Sequence, residues 1–141
     1  MSFDTLGDVD WLAIIVAGVL WYALGAGWYN RAGFGKPWMR SIGWDPEAAP
    51  PAMTALSYVG PLAAYLVGST AIAMIAVATG SDTFAEGIVL GLVIGVGISS
   101  VLFYVTAVFD PTRKEQMTWF GITAGYHLIG ILVASILVSV W

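Results

Sequence analysis

The chain has 141 residues, of which 59% are hydrophobic and 10% charged, with a net charge of −4 and no cysteine. That balance excludes a water-soluble core and a basic nucleic-acid-binding surface. The missing thiols exclude disulfides and thiolate metal sites.

The N-terminal tail carries Asp4, Asp8 and Asp10 and no basic residue, so it lacks the n-region of a cleavable leader. A charge-free stretch then runs from Trp11 to Asn30, followed by others at Ala48 to Ser81, Gly87 to Phe109 and Gln116 to Trp141. Each reaches the ~20 residues needed to cross ~30 Å of hydrocarbon. The predicted spans are about 11–30, 53–79, 84–109 and 117–141. They give an all-α membrane protein, a four-transmembrane-helix bundle forming one domain over 1–141.

Arg31, Lys36 and Arg40 follow the first span and Arg113 and Lys114 follow the third, while the tail and the loop around Asp82 have no positive charge. The positive-inside rule therefore places both basic loops in the cytoplasm and both termini outside. Tryptophans give a second reading, because indoles favour the headgroup level. Trp11 and Trp141 mark one boundary, and Trp28, Trp38, Trp44 and Trp119 mark the other. Trp21 falls mid-span, where it needs a partner for its N–H or a lipid-facing pocket.

The loop after the first span interleaves Phe34, Trp38, Met39, Ile42 and Trp44 with Lys36, Arg40 and Ser41, a pattern for a segment lying along the membrane surface. Gly33, Gly35, Pro37 and Gly43 argue against one long helix there, and Pro46, Pro50 and Pro51 make the re-entry a turn. Arg31, Lys36, Trp38, Arg40, Trp44, Arg113 and Lys114 are the candidate headgroup contacts, with membrane lipids as partners.

Within lipid, helices associate through small residues that let backbones approach. Gly87, Gly91, Gly95 and Ser99 recur every four residues in the third span, a groove for another helix of the chain or for a second subunit. Gly60, Ala64 and Gly68 repeat the device in the second, where Pro61 introduces a kink. Ala17–Tyr22 also aligns with Ser99–Tyr104 at a constant offset, and Arg31 with Arg113. Two readings stay open: a parallel repeat of two helical hairpins, as in some transporters, or a chance likeness of apolar segments.

The chemistry is sparse. His127 is the one ionisable side chain well inside a span, about 16 Å past Gln116 at the helical rise. Phe120, Thr123, Gly130 and Ala134 share its face. With Thr123 of its own face, Tyr22, Tyr104 and Ser99 make up the candidate interior polar site, and Tyr22, Tyr104, Ser99, Ser100 and Thr106 are the candidate hydrogen-bond partners from other spans. It reads either as a neutral, satisfied imidazole or as a proton relay or ligand site. No second histidine makes a metal pair, no carboxylate sits mid-span, and no G-x-S-x-G nucleophile motif occurs. The expectation is no enzyme activity, no metal and no cofactor. Asp10 and Glu86 read as helix caps.

Trp28-Tyr29, the run Phe34-Gly35-Lys36-Pro37-Trp38-Met39, the run Ala124-Gly125-Tyr126-His127-Leu128 and a terminal tryptophan together resemble the small bacterial four-span proteins of domain-of-unknown-function family seventeen-sixty-one. The resemblance covers the whole chain. It implies the four-span fold and the bacterial inner membrane, and it carries no activity. Thr123 stands where the family pattern commonly has asparagine, and Phe103-Tyr104 and Asp110 stand where it has an asparagine-rich acidic stretch.

Three functions are compatible with these residues. A homo-oligomer could form a narrow path for a small solute or ion, as the glycine row, the repeat and His127 suggest. The chain could instead be an accessory subunit of a larger membrane complex, or a protein contacting anionic lipid through the Arg31–Trp44 loop. The first is the favoured expectation.

Overall fold

The computed structural model describes residues 2–49 and 52–141, and Pro50 and Pro51 of the re-entry turn lie outside them. The described residues contain helices and turns and no strand. Helices α1 (Trp11–Trp28), α2 (Gly35–Ser41), α3 (Ala55–Thr79), α4 (Phe84–Ile94), α5 (Val101–Phe109) and α6 (Gln116–Val140) follow a short 3₁₀ turn at Phe3–Gly7. A π-helical turn, Gly95–Ser100, joins α4 to α5, so Phe84–Phe109 is one continuous span. Four helices are thus long and apolar enough to cross a membrane, and the protein is an integral, multi-pass membrane protein.

Each end has a local cause. Asp10 Oδ1 accepts from the N–H groups of Leu12 and Ala13 and caps α1, at 2.9 Å each. Beyond Trp28 the chain doubles back on the last carbonyls of α1: Phe34 N donates to Trp28 O at 2.8 Å, and Asn30 Oδ1 takes the N–H groups of Ala32 and Gly33. The tight return needs glycine at 33 and 35, where a β-carbon would strike backbone carbonyls of residues 27 to 30. α1 therefore stops before Asn30. Thr83 and Glu86 form a capping box for α4.

Helices that are apolar all round sort their faces by size, not polarity. α6 is the centre. Its buried residues include Ala124, Gly130, Ala134 and Ser135, and it packs against α1, α3 and α4, with α2 resting on its first turns. Ala17, Trp21, Ile72, Ala76, Leu90, Tyr126, Ile131 and Ala134 make the main core.

The glycine row of α4 packs on α6. A β-carbon at Gly87 would lie 2.8 Å from Ile136 Cα, one at Gly91 3.0 Å from Leu132 Cα, and one at Gly95 2.6 Å from Leu128 Cδ1. Ser99, the next in the row, lies within the π turn and is partly exposed. On the other side Gly68 faces the Trp21 ring, but Gly60 has only Leu56 of its own helix within reach, so no second helix packs there. The notch between α1 and α3 is Gly18, where a β-carbon would meet Leu66 Cα at 3.2 Å. Gly130 provides another, since a β-carbon there would run into the Trp21 indole. Trp21 is buried in that notch and its Nε1 has no partner among the described residues, so its mid-span position is met by neither a hydrogen bond nor a lipid-facing pocket.

Pairing of α1 with α3 and of α4–α5 with α6 gives two antiparallel hairpins. Their settings differ: α1 is an unbroken helix, whereas the aligned segment Ser99–Tyr104 begins in the π turn.

Candidate functional site

At the end of the bundle that carries the basic loops, α1 and α3 do not close on each other. Tyr22, Gly25, Ala26 and Tyr29 form an i, i+3, i+4, i+7 stripe on α1, and Ser57, Tyr58, Pro61 and Tyr65 form the facing stripe on α3. Rings of that size hold the helices apart. The result is a cavity of about 800 Å³, roofed by Trp38 and Met39 of α2 and by Trp44, Asp45, Ala48 and Ala49, with Tyr126 of α6 at its inner wall. Seven of its lining residues are aromatic.

The floor is rigid. Tyr126 OH donates to the Trp21 carbonyl at 2.9 Å, a buried bond between α6 and α1. Gly25 leaves room for that hydroxyl, which lies 3.1 Å from where a β-carbon would stand. Tyr65 stacks on Trp21 with ring centroids 4.9 Å apart, and Tyr29 meets Tyr126 edge-on at 5.2 Å.

The roof is tied down from outside. Gly43 adopts φ +81° and ends α2 in a Schellman turn, with Trp44 N donating to Met39 O and Gly43 N to Arg40 O, both 2.9 Å. That reversal brings Trp44 back against Trp38, centroids 6.0 Å apart and planes at 86°. Ser41 is fully buried, and its carbonyl accepts from the N–H groups of Lys114 and Glu115, joining the two basic loops. Trp28 Nε1 donates to Ile122 O at 3.1 Å. Below the second loop Arg113 lies over the Trp119 ring, 3.4 Å from its centroid, with Nε 3.0 Å from Asp110 Oδ2 though not in hydrogen-bond alignment.

Charge at the mouth is sparse and specific. Lys36 pairs with Glu47 at 2.9 Å, and that ammonium holds the Glu47 carboxyl below its usual range. Arg31 reaches only the Ala48 carbonyl, at 3.5 Å. Asp45 accepts from Glu47 N at 2.9 Å through Oδ1. Neither Arg31 nor Asp45 is in an ion pair among the described residues.

The structure places the expected polar site differently. His127 is half-buried among rings: it stacks on Phe103 at 4.6 Å, with Tyr126, Trp21 and Tyr65 around it at 4.9, 5.8 and 6.0 Å. None of its expected hydroxyl partners hydrogen-bonds to it. Tyr22 lines the cavity, Tyr104 is half-exposed and pairs with Phe120 at 5.5 Å, and Thr123 is buried with its hydroxyl unpaired. Ser100 and Thr106 bond to carbonyls of their own helix, and Ser99 has no side-chain bond. Large rings fill the space a hydroxyl would need. Of the headgroup candidates, Arg31, Trp38 and Trp44 belong to the cavity, Lys36 is engaged by Glu47, Arg113 by Trp119, and the Lys114 stem packs beside Gly43. Arg40 is exposed. Tyr29, Tyr58, Tyr65 and Tyr126 were not singled out by their chemistry. The four-residue spacing of Tyr22 with Ala26 and of Pro61 with Tyr65 is the sequence signal that marks their faces.

Among the described residues no three histidine, aspartate or glutamate side chains gather to hold a metal. Residues 12–139 match the family model described as Protein of unknown function (DUF1761). The chain belongs to that family. The match takes in all four spans and the whole lining of the cavity, so this site lies inside the family region. No curated protein and no solved structure matches the chain.

Proposed function

We propose that this protein binds an amphipathic small molecule in the cavity between α1, α2 and α3, and that its role is binding, not catalysis. The observation that carries this reading is the cavity itself: about 800 Å³, mostly apolar and rich in aromatic rings, with a few polar groups at its mouth, the usual make-up of a small-molecule site. Its level in the bundle matters equally. Tyr58 and Met53 of its lining are more than half exposed beside the outward-facing Leu56 and Val59, so an apolar tail can leave the cavity along α3 into lipid.

On this reading the basic loops face the cytoplasm of a bacterial inner membrane, by the positive-inside rule, and the ligand enters from the inner leaflet. A path through a homo-oligomer has less support, because the glycine row that suggested a subunit groove is occupied by α6 of the same chain.

The test is native mass spectrometry of protein released directly from its membranes, compared with Ala26→Trp, which projects an indole into the cavity from a regular turn of α1. A stoichiometric small molecule retained by the unaltered chain and lost at least about tenfold in the variant is the expected result, since filling the site removes more than ~1.4 kcal/mol of contact. Equal occupancy in both, or none in either, overturns the proposal.

A further inference from the structure

Among the described residues the mouth of the cavity carries one cation, Arg31, and one anion, Asp45, that are outside any ion pair. Arg31 follows the C-terminal end of α1, and among the described residues its side chain makes one hydrogen bond, to Ala48 O, which leaves most of its guanidinium donors unengaged. A planar fork of that kind suits a phosphate. Asp45 is oriented by the Glu47 N–H on Oδ1, which leaves Oδ2 open. Beside it, Trp38 and Trp44 stand edge-to-face at 86°, and the indole faces that this contact leaves uncovered are the surfaces that attract a cation. Lys36, the nearest competitor for an anion, is neutralised by Glu47.

The geometry points to a zwitterionic phospholipid as the ligand: Arg31 takes the phosphate, Asp45 with the Trp38–Trp44 corner takes the ammonium, and the glycerol and first methylenes occupy the aromatic cavity. This assignment rests on the proposed ligand-binding role of the cavity. An anionic headgroup such as phosphatidylglycerol offers Arg31 the same phosphate but brings no ammonium to Asp45, whose repulsion of that phosphate is then uncompensated. The acyl chains follow α3 past Leu56 and Val59, whose side chains are 77% and 61% exposed.

The experiment measures lipid retention by native mass spectrometry after loading the full chain in nanodiscs of phosphatidylethanolamine, phosphatidylcholine or phosphatidylglycerol, with soluble glycerophosphoethanolamine as a fourth arm. The expected result is retention of at least one zwitterionic lipid about tenfold above phosphatidylglycerol, lost in Ala26→Trp, with little binding of the soluble headgroup. Asp45→Asn keeps an acceptor for Glu47 N while removing the charge, so it should erase the preference without changing the melting temperature. Arg31→Gln should weaken all phospholipids alike. A lipid lost in Ala26→Trp but retained equally well as phosphatidylglycerol overturns the zwitterion assignment alone. So does an unchanged preference in Asp45→Asn. Retention of the soluble headgroup as strong as that of the lipid overturns the requirement for the anchor. Lipid binding unaffected by Ala26→Trp removes the cavity as the site and both proposals with it.

Discussion

The two sides of α6 are built from the same apolar alphabet and behave in opposite ways. Toward α4 it meets Gly87, Gly91 and Gly95, and the backbones close to contact. Toward α1 and α3 it meets Trp21, Tyr29 and Tyr65, with its own Tyr126 among them, and at the basic end a cavity of about 800 Å³ stays open. Hydrophobicity does not distinguish these seams, because lipid is as apolar as either. Side-chain volume does: small residues give a dry contact that holds the bundle, and large planar ones give walls that cannot meet. The chain thereby separates a seam for stability from a seam for binding on one helix.

Gly87→Leu is the strongest way to break that contrast. Its β-carbon would lie 2.8 Å from Ile136 Cα and 3.1 Å from Ser135 O, both backbone atoms, so α4 must move off α6. Overpacking of this kind costs about 1–3 kcal/mol or more. Thermal denaturation followed by size-exclusion chromatography should show the largest fall in melting temperature of any single change considered. Gly121→Leu, where nothing lies within 4 Å, should leave it nearly unchanged. Equal effects at the two positions would mean that the glycine row does not hold the seam.

The aromatic side is sharpened by Tyr126→Phe, which deletes one buried hydrogen bond to Trp21 O and keeps the ring. A loss of about 1 kcal/mol is expected, below that of Gly87→Leu, together with looser ligand retention because the cavity floor loses its tie to α1. No change in either quantity would show that ring packing alone sets the floor.

Much of this was open to reading from residues in order, and the part that was not has a physical reason. Span positions and the basic-end/acidic-end asymmetry follow from runs of apolar residues and five cations, which act over whole helices. The Gly87 row follows from a four-residue period. The cavity did not follow, because it depends on which of several tyrosine stripes face one another, and facing is fixed by the azimuth of each helix around α6. His127 drew attention as the lone ionisable group in a span, yet its neighbours Phe103, Trp21 and Tyr65 come from three other helices. Gly130 reads as one more small residue until Trp21 is found lying in it. The Schellman turn at Gly43 was visible as a helix breaker but not as the device that sets Trp44 against Trp38.

The smallest expected effect concerns the loops that hold the roof of the open seam. Asp110 has its carboxyl held below the ordinary range, first by the Thr112 hydroxyl, then by the Thr112 N–H, with a smaller contribution from Arg113. Glu47 is held down by Lys36. A depressed folded pKa contributes stability that is fully present above the unfolded carboxylate value, about 4, and is lost as pH falls through the folded value. The melting temperature should therefore be flat from neutral pH down to about 5 and decline only below about 4. Both groups are exposed, so the decline is shallow and screened by salt. Asp110→Asn with Glu47→Gln should reduce that acid-side slope while leaving Gly87→Leu as damaging as before. Were Asp110→Asn alone to abolish ligand retention at neutral pH as well, the two seams would be coupled through the basic loops, and the roof could no longer be treated as independent of the helix contacts beneath it.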